Sequence, residues 1–242
     1  MGEVTGREMS FAEHLDELRF RLLKSVIAVF VCGSACYFFW KEILSLFTGY
    51  PLSGLEHPPE LMYTNPTEAF MVSIKIALFG GLFSAIPIVL YQVWRFIAPG
   101  LFHDEQSLIV PVVFFTTIFF VGGVLFCYFL VLPVAFNFLL EFSTVDLVAR
   151  LSINIYIGFI VKLLLAFGLV FEMPIFSFIL TRLGIITPGF LVRQYKYAIV
   201  IIFIISAILT PPDVFSQTLM AAPLLVLYGL SIGVSYCARR KK

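Results

Sequence analysis

Residues 154–180 read NIYIGFIVKLLLAFGLVFEMPIFSFIL, an apolar stretch long enough to cross a bilayer, and Glu172 lies inside it. A hydrocarbon core of about 30 Å needs about 20 apolar residues in a helix. A carboxylate within that core costs about 2.5–3.5 kcal/mol on insertion scales. We therefore expect Glu172 to face a partner, a polar cavity or a bound segment, and the rest of the chain to indicate which.

The composition of the whole chain is that of a membrane protein. Of its 242 residues, 60% are hydrophobic and 13% are charged, and the mean hydropathy is +1.01. Soluble domains are about 45–50% apolar and about 25% charged. The composition therefore predicts an all-α integral membrane protein and excludes a soluble domain.

Six apolar segments predict six transmembrane helices in a single membrane domain that covers residues 1–242. The fifth and sixth helices are predicted to be short, and the fifth, with 15 residues, would measure roughly 22 Å at a rise of about 1.5 Å per residue. The predicted spans are residues 21–40, 70–93, 108–132, 156–181, 195–209 and 215–236.

Prolines recur inside these predicted helices, at Pro87, Pro111, Pro174 and Pro223. Each proline removes a backbone donor and favours a bend. Bent helices predict a concave shape, although membrane helices also tolerate proline without enclosing a cavity.

Lysine and arginine concentrate on one side of the predicted helices. They precede the first helix, occur in the second-to-third and fourth-to-fifth connections, and end the chain, whereas the opposite loops hold only Lys41 and Arg150. The positive-inside rule then places both termini in the cytoplasm. Residues 1–20 are predicted to be an amphipathic cytoplasmic segment, and residues 237–242 a basic cytoplasmic tail.

The two predicted outer loops, residues 41–69 and 133–155, are longer than the inner ones, and we expect them to form a cap on the outer face. The break between the last two helices is sharp, because two prolines at 211 and 212 cannot continue a helix. Asp213 follows them and is suited to cap the final helix.

Residues 10–23, SFAEHLDELRFRLL, have helical periodicity, with apolar residues on one face and Glu13, Glu17 and Arg21 at spacings of four on another. One interpretation is a surface helix whose internal ion pairs contribute about 0.2–0.5 kcal/mol each. The other is a carboxylate held just outside the membrane for a cationic peptide. The residues alone favour the first interpretation.

The first inner connection, residues 91–105, reads YQVWRFIAPGLFHDE and ends in the acidic pair Asp104 and Glu105. Acidic residues favour a helix N-terminus through the macrodipole. That explanation needs one carboxylate, and this connection supplies two just before the third predicted helix.

Four segments together resemble TatC, the multi-helix subunit of the twin-arginine protein translocase. The resemblance extends from about His14 to Tyr228, and the four motifs occur in order at fitting places among the predicted helices. They are HLDELRFRL (14–22), YQVWRFIAP (91–99), FGLVFEMP (167–174) and TPPDVFSQ (210–217).

The resemblance implies a receptor and scaffold subunit in the bacterial cytoplasmic (inner) membrane, and not an enzyme. Such proteins bind the twin-arginine signal peptides of folded proteins and recruit single-helix partner subunits of the TatA/TatB type. Export is then driven by the proton-motive force. The resemblance further implies a multi-copy complex among membrane lipids, without a cofactor, a metal ion or nucleic acid.

The resemblance also implies which residues act. Two guanidinium groups need two carboxylates, because each planar fork pairs with one, and the predicted orientation puts Glu17 and Glu105 on the same side. The implied signal-peptide residues are Glu17, Arg19, Phe96, Pro99 and Glu105, to which we add Asp104. The implied partner-helix residues are Glu172 and Gln217, and the implied outer-loop residues are Pro51 and Asp213.

Two positions depart from the family pattern. Gly229 follows Leu227-Tyr228 where the family often has a glutamate, and Asp104 stands where a basic residue is common. The extra acid is expected to strengthen cation binding or to share the role of Glu105.

The alternative function is a proton-coupled transporter of small solutes that uses Glu172. Such transporters usually have more buried polar groups and internal repeats, and this sequence shows one mid-membrane carboxylate and no repeat. An intramembrane hydrolase is disfavoured, because no Ser/His pair, Asp pair or His-rich motif occurs in the predicted helices.

Overall fold

The computed structural model describes residues 11–55, 58–97, 109–140, 150–210 and 213–238, and most of these residues are helical. The helices are numbered here in chain order. They are α1 (Phe11–Tyr37), α2 (Trp40–Gly49), α3 (Glu68–Ile97), α4 (Ile109–Phe126), α5 (Leu132–Leu140), α6 (Ile153–Val170), α7 (Met173–Arg182), α8 (Pro188–Arg193), α9 (Tyr195–Leu209) and α10 (Val214–Ala238).

Five helical segments within the described ranges are long and apolar enough to cross a membrane: Ala12–Tyr37, Glu68–Ile97, Val110–Leu140, Ile153–Arg182 and Val214–Ala238. A sixth apolar helix, α9, has 15 residues, as the sequence predicts. The helical membrane architecture is therefore confirmed. The count of six spans, the cytoplasmic termini and the concave shape stay predictions.

Every predicted helix except the fifth differs from the observed one at its ends, and the differences in the first, third and sixth are described here. The amphipathic N-terminal segment is not a separate element, because α1 runs without a break from Phe11 into the apolar stretch. The third span continues past its predicted end through a π-helical turn, Cys127–Val131, into α5. The prediction of a short sixth helix is wrong: α10 has 25 residues and passes through Pro223, which removes only one backbone donor.

The fourth span is broken rather than bent. Helix α6 ends at Val170 and α7 begins at Met173, with Phe171 and Glu172 in a turn between them. Pro174 causes the break, because it has no N–H to donate to the carbonyl of Val170. The N–H groups of Ile175 and Phe176 instead donate to the carbonyl oxygen of Glu172, both at 3.0 Å.

Helix α6 lies at the centre of the core. Its residues Ile157, Ile160, Leu163 and Phe167 are fully buried and repeat at spacings of three and four. They pack in one cluster with buried residues of α3 and α10. A second contact between membrane segments is polar, since the Ser177 hydroxyl of α7 donates to the carbonyl oxygen of Ser231 on α10 at 2.9 Å.

The two loops predicted to form an outer cap are in contact, and they include two strands that an all-α prediction lacks; their position on the outer face stays a prediction. Strand β1 (Glu60–Met62) pairs in parallel with β2 (Arg150–Ser152), so the two outer loops are joined. Helix α2 is held by hydroxyl groups of two membrane segments: Tyr128 donates to the carbonyl oxygen of Leu46 and Tyr156 to that of Phe47, each at 2.7 Å.

Helices α1 and α3 make backbone contact at one crossing. A Cβ atom added to Gly81 of α3 would overlap the backbone of Gly33 in α1 and would lie 2.8 Å from the carbonyl oxygen of Val29. Small residues at such crossings let membrane helices approach closely and gain van der Waals contact.

We therefore predict that Gly81→Ala destabilises the protein by about 1–3 kcal/mol, because the added methyl group forces the two backbones apart. The measurement is the thermal unfolding midpoint of the purified protein in detergent. Gly229→Ala is the matched control, since a Cβ atom there meets nothing within 4 Å. Equal midpoints for the two variants would contradict the crossing.

Candidate functional site

Glu17 lies in the first turns of α1, and its side chain is about four-fifths buried. The Arg21 guanidinium donates through Nε to Glu17 Oε1 at 2.8 Å, and its Nη2 bonds to the same oxygen. Glu17 Oε2 is buried and accepts no hydrogen bond within the described part of the chain. One carboxylate oxygen is therefore held by Arg21, while the other retains its acceptor capacity.

His14 connects this carboxylate to the end of α3. Its ring stacks on Phe96 with a centroid separation of 4.3 Å and an interplanar angle of 13°. His14 Nδ1 lies 3.8 Å from Glu17 Oε2. The structure thus brings two sequence-predicted residues, Glu17 and Phe96, into one cluster through a third that the sequence analysis did not assign. His14 lies three residues before Glu17, and this helical spacing was the sequence signal that could have identified it.

The other predicted signal-peptide residues stand apart from this cluster or outside the described ranges. Arg19 is exposed on α1 and forms no ion pair with any described residue. Pro99, Asp104 and Glu105 lie outside the described residues, so the pairing of two carboxylates stays a prediction. Helix α3 ends at Ile97, one residue after Phe96. In the sequence, the connection that carries Glu105 therefore begins just after the residue that stacks on His14.

Trp94 anchors this end of α3 in the protein. It is buried, and its ring packs against Phe176 of α7 at a centroid separation of 5.0 Å. The contact fixes the last turn of α3 relative to the broken fourth span. The position of Phe96 therefore depends on the packing of α7 as well as on α1.

Glu172 occupies the turn between α6 and α7 and is only 2% exposed. Its backbone is satisfied, because its N–H donates to the carbonyl oxygen of Leu169 at 3.2 Å and its own carbonyl accepts two bonds. Its two carboxyl oxygens are buried, and neither has a hydrogen-bond partner among the described residues. Burial of a polar group without a partner is destabilising, so the Glu172 side chain lowers the free energy of unfolding.

The other predicted intramembrane and outer-loop residues have structural contacts. Gln217 is half-buried, and its amide donates to the carbonyl oxygen of Phe203 at 2.9 Å, which joins α10 to α9. Asp213 Oδ1 accepts from the Ser216 N–H at 2.6 Å, which confirms the predicted cap of α10. Pro51 is buried in a 3₁₀ turn of the outer cap. No hydrogen bond joins Gln217 to Glu172, whose carboxyl oxygens have no partner among the described residues.

A second buried carboxylate, Glu68, escaped the sequence analysis. It accepts hydrogen bonds from the Thr64 N–H at 2.6 Å, the Thr64 hydroxyl at 2.8 Å and the Ser152 hydroxyl at 2.9 Å. These bonds tie the start of α3 to both outer loops. The acidic residue in the first turn of a helix, four residues after a threonine, was the sequence signal for it.

The fold and these residues define the class of protein: a multi-span α-helical membrane protein with a broken central helix and a buried, unpaired carboxyl group. Comparison with known proteins then gives the family. The protein-family model described as "Sec-independent protein translocase protein (TatC)" matches residues 13–223 of this chain. The chain belongs to the TatC family, and the resemblance drawn from the four motifs is confirmed.

Similar proteins match nearly the whole chain. It is 44% identical over 236 residues to the Sec-independent protein translocase protein TatC of Aquifex aeolicus, covering 97% of this chain and 98% of that one. It is 41% identical over 219 residues to the TatC of Helicobacter pylori strain J99, covering 90% and 86%. A crystal structure of the twin arginine translocase receptor TatC superposes with a TM-score of 0.85 at 42% identity, covering 94% of this chain and all of that one.

The two buried carboxyl groups predict opposite responses to the same substitution. Glu172→Met should raise the free energy of unfolding by about 1–3 kcal/mol, because it removes an unsatisfied polar group. Glu68→Met should lower it by a similar amount, because it leaves three donors without their acceptor. Thermal unfolding of both variants in detergent checks this. A Glu172→Met protein less stable than the wild type would contradict the assignment.

Proposed function

We propose that this protein is the receptor and scaffold subunit of a twin-arginine translocase in the bacterial cytoplasmic membrane. In this role it binds the twin-arginine signal peptides of folded proteins at its cytoplasmic face and recruits single-helix partner subunits in a multi-copy complex. The observation that supports the proposal best is the cluster of Glu17, His14 and Phe96. It joins two separate family motifs at one end of the helix bundle.

Cation recognition is proposed to use Glu17 Oε2, which has no hydrogen-bond partner among the described residues. Arg21 pairs with Oε1 of Glu17 and holds the side chain in place. An incoming guanidinium pairs with Oε2, and the second guanidinium of the peptide pairs with Glu105 or Asp104. Phe96 and His14 supply a flat aromatic surface next to the carboxylate, on which a guanidinium plane stacks.

The orientation of the chain agrees with this role. The His14–Phe96 contact puts the start of α1 and the end of α3 at the same end of the bundle. Both segments carry the Lys and Arg residues that the positive-inside rule assigns to the cytoplasm. Signal peptides are presented from that side, because the folded proteins that carry them are made there.

We predict that Glu17→Gln lowers the affinity for a twin-arginine peptide by about 10- to 100-fold, since a charge-assisted hydrogen bond contributes about 1.5–3 kcal/mol. A twin-lysine peptide should bind more weakly than the twin-arginine peptide, because lysine lacks the planar fork. Fluorescence anisotropy with labelled peptides and purified protein measures both effects.

Asp16→Asn is the matched control, because it removes one acidic charge from an exposed position on the same helix. It should leave the affinity within about threefold, as expected for a screened surface charge. Equal binding of the two peptides, or an unchanged affinity for Glu17→Gln, would refute the proposed recognition.

Recruitment of a partner helix is proposed to involve Glu172. Its carboxyl group is the one polar side chain in the described part of α6 and α7 whose oxygens are buried and all unpaired. A polar side chain from a partner's helix satisfies it when the turn between α6 and α7 opens toward the partner. Gln217 lies on α10, and the hydrogen bond from its amide to the carbonyl oxygen of Phe203 joins α10 to the neighbouring helix α9.

Glu172→Gln, which keeps hydrogen-bonding groups, should therefore retain partner subunits of the TatA/TatB type, whereas Glu172→Met should lose them. Co-purification of a tagged receptor with its partners measures this. Since Glu172→Met is expected to be the more stable protein, loss of partners cannot be ascribed to unfolding. Normal recovery of partners with Glu172→Met would remove the proposed role.

The alternative of a proton-coupled solute transporter rests on Glu172 alone. Membership of a translocase family over most of the chain favours the receptor function instead. The family is a translocase component rather than a known family of enzymes.

A further inference from the structure

The C-terminal third of the chain has a one-sided charge distribution. From Met173 to Lys242 there is a single acidic residue, Asp213, and it begins α10 at the opposite end from the basic tail. The basic residues in this stretch are Arg182, Arg193, Lys196, Arg239, Arg240, Lys241 and Lys242.

Within this region, α8 and the first turn of α9 form a groove of about 710 Å³. This volume is in the range of about 300–1,000 Å³ that is usual for ligand sites. The groove is lined by Thr187, Phe190, Arg193, Gln194, Lys196 and Tyr197. It therefore combines two cationic side chains with a hydroxyl, an amide and two aromatic rings.

The two cations of the groove have no acidic partner among the described residues. Neither Arg193 nor Lys196 forms an ion pair in the part of the chain that the structure describes. Both side chains are exposed, and Lys196 Nζ lies 5.1 Å from the ring centroid of Tyr197. A concave surface with two unpaired positive charges attracts an anion.

The groove continues into an apolar surface. Beyond Tyr197, the α9 residues Val200, Ile201 and Ile204 are exposed along the helix. Aromatic residues such as Tyr195 and Tyr197 are typical of the boundary between hydrocarbon and headgroups. An occupant that suits the whole surface thus has an anionic head and apolar chains, which a soluble anion does not have.

We propose that this groove binds the phosphate headgroup of an anionic phospholipid, with its acyl chains along α9. Arg193 and Lys196 pair with the phosphate, while Gln194 and the Thr187 hydroxyl meet neutral oxygens of the headgroup. Basic grooves at helix ends on this side of a membrane suit such lipids. The site is separate from the Glu17 cluster, so it holds whether or not that cluster binds signal peptides.

The experiment is native mass spectrometry of the full chain, purified in detergent and titrated with phosphatidylglycerol or with phosphatidylcholine of the same acyl chains. The wild type should bind one phosphatidylglycerol at least about tenfold more tightly than phosphatidylcholine, since each basic residue near a membrane surface contributes appreciably to anionic-lipid binding. The double variant Arg193→Gln/Lys196→Gln should lose this preference.

Two control proteins keep the result interpretable. Lys41→Gln/Lys162→Gln removes two exposed positive charges elsewhere and should retain the preference. Arg193→Lys/Lys196→Arg conserves the charges and should also retain it, which separates the loss of charge from misfolding.

Equal binding of the two lipids by the wild type, or an unchanged preference in the double Gln variant, would overturn the proposal. Displacement of phosphatidylglycerol by an equal concentration of inorganic phosphate would show a site for a free anion and would also overturn it. So would a double Gln variant that loses self-association while keeping its lipid preference, because the groove would then be an interface between copies of this chain.

Discussion

The backbone contact between α1 and α3 at Gly33 and Gly81 is the constraint on which the cluster of Glu17, His14 and Phe96 depends. Helix α1 packs mainly along α3, and at this crossing no side chain separates the two backbones. Close packing there aligns the two long helices, so that His14 meets Phe96 about five turns away along α1. A carboxylate and an aromatic residue some 80 positions apart in the chain thus share one surface.

A second constraint is the broken fourth span. Pro174 ends α6 and leaves Glu172 buried in the turn between α6 and α7. The side chain has no partner within the described chain, although Glu68 shows that this fold can satisfy a buried carboxylate completely. Polar groups left unsatisfied in a stable core are expected where function needs them. In this protein the expected function is contact with another subunit.

The outer cap and the basic groove show how the two ends of the bundle differ. In the predicted outer cap, the two strands pair, Tyr128 and Tyr156 donate to α2, and Glu68 accepts from both loops. At the other end, Glu17 Oε2 has no hydrogen-bond partner, and Arg193 and Lys196 form no ion pair, among the residues that the structure describes.

Composition and hydrophobic runs determined the class, the position of the six apolar segments, the short α9 and the cap at Asp213, because these features depend on neighbours close in sequence. The four motifs determined the family. Only the tertiary structure decided the strand pairing in the cap, the role of Glu68 and the His14–Phe96 stack. Each of these features depends on which residues distant in sequence come into contact. Local periodicity does not encode those contacts, because the apolar face of a helix can pack against many different neighbouring helices.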